Sequence, residues 1–361
     1  MKIITIVGAR PQFVKAAAVS RVIREKHTEI LIHTGQHYDN NMSDIFFEEL
    51  HIPRPDINLG VGSGFHAKQT ADMMVGIEEI LLREQPDYLM VYGDTNSTLA
   101  GAIAASKIHI PIIHVEAGLR SFNMRMPEEQ NRILTDRIST LLLCPTSVAV
   151  KNLQNEGITD GVYNVGDVMC DAVLYYSKLL DENSYEYYFS KLIGLFGEIK
   201  PTQSWYLATV HRAENTDSID KVREILKAFE QLDAPVIFPV HPRTKNMVHS
   251  LVEQENYKNI LFVEPMGYLD MLYFVSHAKK VVTDSGGLQK ETYILNTPCV
   301  TVRDQTEWVE TLIGNHNILA KPNCEDILDK VNNTVIDYSK KSNHYGDGDA
   351  AEKICRLLEK I

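Results

Sequence analysis

The sequence predicts an α/β protein built from two doubly wound parallel sheets, and three observations carry that expectation. Short apolar runs of strand length alternate with stretches whose apolar residues recur at helical spacing. The alternation halts over a polar, tyrosine-rich stretch at 174–204 and then begins again. The length of 361 residues suits two domains at roughly 100–200 residues each.

In the first half, "KIITIVG" (2–8) precedes the helical "PQFVKAAAVSRVIREK" (11–26), and "EILIHTG" (29–35) precedes "NMSDIFFEEL" (41–50). "DYLMVYG" (87–93) leads to "TNSTLAGAIAASKIH" (95–109), "PIIHVEAG" (111–118) to a helix from about Pro127, and "TLLLCPT" (140–146) adds a strand. The second half offers "WYLATVHR" (205–212), "PVIFPVHPR" (235–243), "NILFVEP" (259–265), "KKVVTDSGG" (279–287) and "PCVTVRD" (298–304). Strands that are apolar throughout, with helices between them, fit parallel sheet buried on both faces. "AAEKICRLLEKI" (350–361) has the spacing of an amphipathic helix, and a hinge is expected near 168–175.

Composition narrows the function. A formal net charge of -12 argues against nucleic acid or an anionic membrane as partner, yet leaves room for a basic pocket. No apolar run approaches a membrane span, and the N-terminus lacks the pattern of a signal peptide. Five scattered cysteines without a CxxC fit reduced thiols in the cytoplasm. Neither paired histidines nor an Asp-x-Asp cluster offers a metal cage, so no metal is expected. GxGxxG and the Walker pattern are both missing, which removes the sequence case for NAD or ATP.

Ligands of such sheets bind beyond the carboxyl ends of the strands. There the sequence puts Arg10; His33, Gln36 and His37; Asp94; Glu116; His211 and Arg212; His241 and Arg243; and Asp284-Ser285-Gly286-Gly287. Two glycines opening a helix let bare amides approach a phosphate, although a plain turn with a Ser285 cap reads the same. Glu291 stands one turn further on, where it could bind sugar hydroxyls. Arg10, Arg212, His241 and Arg243 are candidate diphosphate partners; for any single arginine a surface ion pair competes with that role. Asp94 could be a helix cap, and Glu128, with Glu129, could answer the helix dipole after Pro127. Glu116 follows a buried run, so its charge must be paired, and Arg120, Arg125 and Arg132 are near enough in sequence to pair it.

With these motifs assembled, "GARPQFVKA", "YGDTNSTLAGA", "HVEAGLRS", "MPEEQNR", "HRAEN", "HPRT" and "DSGGLQKE" resemble, in order and over nearly the whole chain, the non-hydrolysing UDP-N-acetylglucosamine 2-epimerases. The resemblance implies two Rossmann-like domains in the glycosyltransferase-B arrangement. Residues 1–170 would carry the catalytic carboxylates, with 347–361 packing back on them, and 171–346 would bind UDP. It further implies inversion at C2 of a UDP-linked N-acetylhexosamine by elimination and re-addition of UDP, with no cofactor and with a homodimer as the assembly. Asp94, Glu116, Glu128 and His211 then look catalytic, with Lys15 and Arg132 as supporting charges. Arg10, His241, Ser285, Gly286, Gly287 and Glu291 look like UDP contacts.

"RDQTEWVE" (303–310) departs from the "RDTTERPE" of many simple members. Together with "SFNMRMPEE" and "VGDVM" it is more similar to the branch acting on UDP-2,3-diacetamido-2,3-dideoxy-glucuronic acid, for surface polysaccharide synthesis. UDP-N-acetylglucosamine is the alternative substrate. Arg125 and residues 305–310 are candidates for the extra contacts that a C6 carboxylate and a C3 amide would need. "QHYDNNMSDIFF" (36–47) lacks the glutamines of the activator site known in some members, so that regulation is not expected. A UDP-sugar glycosyltransferase, a hydrolysing epimerase and a non-enzymatic sugar-nucleotide sensor are the rival readings.

Overall fold

The computed structural model describes residues 1–35, 50 and 54–361, apart from the Arg10 side chain. Gln36, His37 and residues 41–49 of the expected helix lie outside the described residues. The chain divides into two compact units, Met1–Tyr175 with Asn343–Ile361, and Tyr176–Ser342.

The first unit is a seven-stranded sheet ordered β3-β2-β1-β4-β5-β6-β7. Its strands are β1 (Lys2–Val7), β2 (Thr28–His33), β3 (Ile57–Asn58), β4 (Tyr88–Tyr92), β5 (Ile112–Val115), β6 (Leu141–Cys144) and β7 (Val162–Asn164). All are paired in parallel. The helices are α1 (Arg10–Ile23), α2 (His66–Glu84), α3 (Asn96–Lys107), α4 (Pro127–Ile138), α5 (Ser147–Asn155) and α6 (Val168–Ser177). Strand order reverses between β1 and β4, so the turns after these two strands flank the ligand-binding crevice of the sheet. Gly8 and Gly93 occupy those turns. A Cβ on Gly8 would fall 2.0 Å from Ser97 Oγ, so only glycine lets α3 approach β1 this closely.

The second unit repeats the plan with six strands ordered β10-β9-β8-β11-β12-β13. They are β8 (Tyr206–Thr209), β9 (Val236–Pro239), β10 (Ile260–Val263), β11 (Val281–Thr283), β12 (Cys299–Thr301) and β13 (Asn317–Leu319), again all parallel. Around them lie α7 (Tyr185–Ser190), α8 (Ala213–Thr216), α9 (Ile219–Glu230), α10 (Pro242–Gln254), α11 (Tyr268–Ser276), α12 (Gly286–Leu295) and α13 (Cys324–Asn333). Here the order reverses between β8 and β11, which brings His211 and the Asp284–Gly287 turn side by side. Strands β3, β7 and β13 are two- or three-residue edge strands, only partly buried, and so lack the apolar run that marks a strand in sequence.

The last helix, α14 (Ala350–Leu358), belongs to the first unit. Its exposed amides are received by Asp171 of α6, whose two carboxylate oxygens accept from Ala350 N at 3.1 Å and Ala351 N at 2.7 Å. Burial nevertheless pushes the Asp171 carboxyl up to about 6, with Asp167 and Asp349 adding to the rise. A carboxyl whose folded-state pKa is raised binds its proton more tightly when folded. The stability it contributes is therefore full below the unfolded value and is lost as pH rises through about 6. Between pH 4 and 6.5 the wild type should lose on the order of 2–3 kcal/mol more than Asp171→Asn, measured by urea unfolding at both pH values. Equal pH slopes for the two proteins would remove Asp171 from this account.

Candidate active site

Three strand ends meet in the first unit. Gln12, in the first turn of α1, is buried and joins two of them. Its Oε1 accepts from Gly8 N (2.8 Å) and Ala9 N (3.1 Å), while its Nε2 donates to Tyr92 O (2.7 Å) and the Thr95 and Thr98 hydroxyls (both 3.0 Å). A single glutamine in a helical pattern carries no sequence signal of such a role. Thr95, whose hydroxyl accepts from Thr98 N, caps α3. Asp94 is thus not the cap that its place in the sequence suggested.

Glu116 leaves β5 with φ of +73°, a left-handed conformation that costs a residue with a Cβ roughly 1–3 kcal/mol. Its carboxylate pairs with Lys15 of α1, and both side chains are almost fully buried. Losing one partner of a buried pair commonly costs about 3–5 kcal/mol, because the other charge is left uncompensated. Gly93 (φ +61°) makes room for the pair: a Cβ there would sit 3.2 Å from Glu116 Oε2 and 3.6 Å from Lys15 Nζ. So the cation the structure gives Glu116 is Lys15, more than a hundred residues away in sequence. Arg120, a candidate from proximity in sequence, instead binds Asp136 (2.7 Å) and Glu156 (2.6 and 2.9 Å).

Asp94 pairs with Arg132 of α4, and Asn131 donates to the Asp94 carbonyl at 2.9 Å. Arg132 also reaches Glu129 at 3.1 Å. Glu129 is fully buried and receives Ser121 N (2.9 Å), the Ser121 hydroxyl (3.0 Å) and Phe122 N (2.8 Å), so it pins the basic loop rather than facing solvent. Glu128 lies half-exposed at the start of α4, one turn before Arg132 and on the same helix face. Arg125 is exposed. Asp94 and Glu116 therefore follow neighbouring strands, each with its own cation.

In the second unit, the fully buried Asp284 organises the turns. It accepts from His211 N (3.0 Å), Arg212 N (2.9 Å) and Asn215 Nδ2 (3.0 Å), and its Oδ1 lies 3.4 Å from His211 Nδ1. Burial lowers the His211 pKa, and Arg212 and Arg243 act in the same direction against Asp284. A neutral His211 thus turns its Nδ1 proton to Asp284 and keeps Nε2 for other work. The His241 ring centroid is 5.3 Å from that of His211, and His241 Nδ1 accepts from Arg243 N at 3.1 Å. Arg243 itself is exposed and paired with Asp217 at 3.1 Å.

Ser285 does cap α12, its hydroxyl accepting from Leu288 N at 3.4 Å. The two glycines that follow differ. A Cβ on Gly286 would meet Glu307 Oε1 at 2.8 Å, Trp308 Nε1 at 3.5 Å and Arg212 Nη2 at 3.7 Å, while one on Gly287 would meet nothing nearer than 4.0 Å. The helix N-terminus at Gly287 is thus open to an anion, with the Arg212 guanidinium close by. Burial pushes the Glu291 carboxyl, one turn on, up to about 7 against the opposing influence of Lys290 and the Tyr268 hydroxyl. Among the described residues no cluster of His, Cys, Asp or Glu could hold a metal ion, and no helix is long and apolar enough to cross a membrane.

Comparison with known proteins bears on this arrangement. The family model described as UDP-N-acetylglucosamine 2-epimerase matches residues 21–359. A UDP-N-acetylglucosamine 2-epimerase homolog of Methanococcus maripaludis is 50% identical over 365 residues, with both chains covered in full. The UDP-2,3-diacetamido-2,3-dideoxy-D-glucuronate 2-epimerase of Pseudomonas aeruginosa is 45% identical over 370 residues, again with full coverage. Among solved structures, the Methanocaldococcus jannaschii UDP-GlcNAc 2-epimerase in complex with UDP-GlcNAc and UDP superposes with a TM-score of 0.90 at 40% identity, all of both chains being covered. Its fold is of the glycosyltransferase-B-like class, two parallel sheets with helices. With nearly the whole sequence matched and relatives well above 30% identity, the chain belongs to the UDP-N-acetylglucosamine 2-epimerase family and is an isomerase.

Proposed function

We propose that the protein inverts C2 of UDP-2,3-diacetamido-2,3-dideoxy-D-glucuronate, without net hydrolysis, by eliminating and re-adding UDP. The observation that carries the chemistry is the pair of carboxylates, Asp94 and Glu116, at the ends of neighbouring strands and each beside its own cation. The C2 hydrogen is not next to a carbonyl, so a carboxylate alone cannot remove it. Once the C1–O bond to UDP loosens, C1 gains oxocarbenium character and the C2 proton becomes acidic. Loss of UDP and that proton leaves a 2-acetamidoglucal; UDP then returns to C1 while C2 is protonated from the opposite face. Two faces need more than one proton-handling group, for which Asp94 and Glu116 serve, with Glu128 orienting or sharing the duty. Lys15 and Arg132 keep the carboxylates in position.

The departing diphosphate needs donors fixed beforehand, because charge grows there as the bond breaks. The Gly286 and Gly287 amides, Ser285, His241 and Arg10 serve that role, with Arg212 better disposed than the surface-paired Arg243. We assign His211, with Asp284 behind it, to the leaving group and Glu291 to sugar hydroxyls, the ribose's among them.

Two observations favour the uronate. One is the likeness to the Pseudomonas aeruginosa enzyme. The other is the distinctive 303–310 segment, whose Trp308 packs at the Gly286 turn and lies under the Lys290 ammonium, 3.8 Å from the ring centroid. UDP-N-acetylglucosamine is the second reading, favoured by the Methanococcus maripaludis homolog. Proton NMR of the purified enzyme with each UDP-sugar and no acceptor tests both. The manno epimer of the uronate should appear faster; turnover of UDP-N-acetylglucosamine alone selects the second reading, and free sugar with UDP would point to a hydrolysing enzyme.

A cytoplasmic homodimer fits the five cysteines, four of them buried, and a groove of about 480 Å³ on α2, α3 and α4 in which Ala67, Ala71, Met74, Leu99 and Pro127 alternate with the polar His66, Thr70, Asn96, Gln130 and Asn131. Light scattering should return twice the 40.9 kDa of one chain; a monomer at micromolar concentration refutes the dimer.

Glu116→Gln should lower epimerisation and the entry of solvent deuterium at C2 by roughly 10²–10⁴-fold, the usual worth of general acid–base help. Undiminished exchange would take Glu116 out of the chemistry. Because ribose hydroxyls donate to Glu291, UDP should bind more tightly as pH rises through about 7 and the carboxyl ionises. Calorimetry should show a gain of up to about tenfold between pH 6 and 8, absent in Glu291→Gln. A parallel gain in the variant would assign the effect elsewhere.

A further inference from the structure

We propose that His114 is a positioning residue, held with a proton on both ring nitrogens, that locks the turns carrying Asp94 and Glu116 against each other. The inference rests on the reading of those two carboxylates as the proton-handling groups.

His114 is in β5, two residues before Glu116, and is completely buried. Each of its ring nitrogens faces an oxygen. Nε2 lies 2.8 Å from the carbonyl of Gly93, the residue before Asp94, and Nδ1 lies 2.7 Å from Asp136 Oδ1 on α4. A peptide carbonyl has no proton to give. Asp136 has none either: its Oδ2 takes Arg120 Nη1 at 2.7 Å and Gly118 N at 3.2 Å, and a guanidinium held this close keeps the carboxyl ionised. With acceptors at both ends, the ring satisfies its contacts only by donating from both nitrogens.

Charge balance agrees. Arg120 is bound on its other side by Glu156, through Nε at 2.6 Å and Nη2 at 2.9 Å. Two carboxylates then face one guanidinium, and a second cation makes the cluster neutral. Cys144 of β6 adds no charge, because burial and Asp136 push its thiol up to about 12. With Asp136 ionised, a neutral imidazole would leave the cluster one negative charge in excess beside two fully buried side chains, which is costly.

The geometry also says what the imidazolium does. It clamps the Gly93 peptide, whose N–H is held by Val115 O at 3.0 Å, so the turn after β4 is fixed to β5 from both sides. Through Asp136 the same ring fixes Gly118 and Arg120, the start of the loop that follows Glu116. The ring thus adds a side-chain tie to the β4–β5 pairing that already sets the spacing of Asp94 and Glu116. A structural filler would need no charge here; a clamp on two acceptors does.

The test uses full-length enzyme labelled with ¹⁵N-histidine. Long-range ¹H–¹⁵N spectra at about pH 8 should show, among the 13 histidines, one ring with both nitrogens protonated and slow to exchange, missing in His114→Gln and altered in Asp136→Asn. In Asp136→Asn, kcat should fall roughly 10²-fold while KM for the UDP-sugar stays within about threefold, the pattern of lost alignment rather than lost binding. A singly protonated His114 ring in active wild-type enzyme overturns the inference, as does Asp136→Asn with wild-type kcat. If His114→Gln fails to fold, the wild-type spectrum with Asp136→Asn still decides. Should Glu116→Gln exchange C2 normally while the two-proton ring persists, the catalytic reading fails and the ring assignment stands.

Discussion

Glu116 stands at the end of a strand whose four residues are all buried, and Lys15 reaches it from α1 through the gap left by the missing side chain of Gly93. A charge in such a place survives only if an opposite charge is held against it, because water cannot reach it to do the same. This demand explains much of the first unit. Lys15 has to lie on the helix that follows β1, Gly93 has to be glycine, and β5 has to stop in a left-handed turn. Asp94 meets the same demand through Arg132, whose other contact is the buried Glu129 that secures the basic loop. The dense charges of residues 114–132 therefore divide into two tasks, with some facing the site and others holding the chain around it.

The second unit solves a related problem with a single anion. Asp284 takes the amides of His211 and Arg212 and the side chain of Asn215, so the ends of the neighbouring strands β8 and β11 are tied together behind the glycine turn. The turn itself stays bare at Gly287, where a helix N-terminus meets open space. A fixed set of donors suits a departing diphosphate, since their alignment costs nothing at the moment the charge appears. In the second unit the buried carboxylate nearest the strand-order reversal, Asp284, holds backbone amides in place.

The two sheets were legible because parallel strands buried on both faces are apolar throughout, even β11 and β12 with three residues each. Strands β3, β7 and β13 are short edge strands that are only partly buried, and they were not. At the strand ends the residue types could be read but not their partners. Asp94 reads as a cap as well as a catalytic carboxylate, and Thr95 is the cap; Arg120, Arg125 and Arg132 all stand near enough in sequence to pair Glu116, which Lys15 pairs instead. Gln12 and His114 gave no sign of their bridging contacts, which run between strand ends some 20 to 85 residues apart.

By itself, the sequence determined the alternation of strand and helix, the break into two sheets and the order of motifs that marks the epimerase family. These follow from periodicity and from residue identity, both local properties of the chain. Only the tertiary structure decided which cation neutralises which carboxylate, which glycine is open and which is covered, and which charges serve the loop instead of the site. Such choices depend on distances between residues remote in sequence and on the exclusion of water between them, and both arise only when the sheets close.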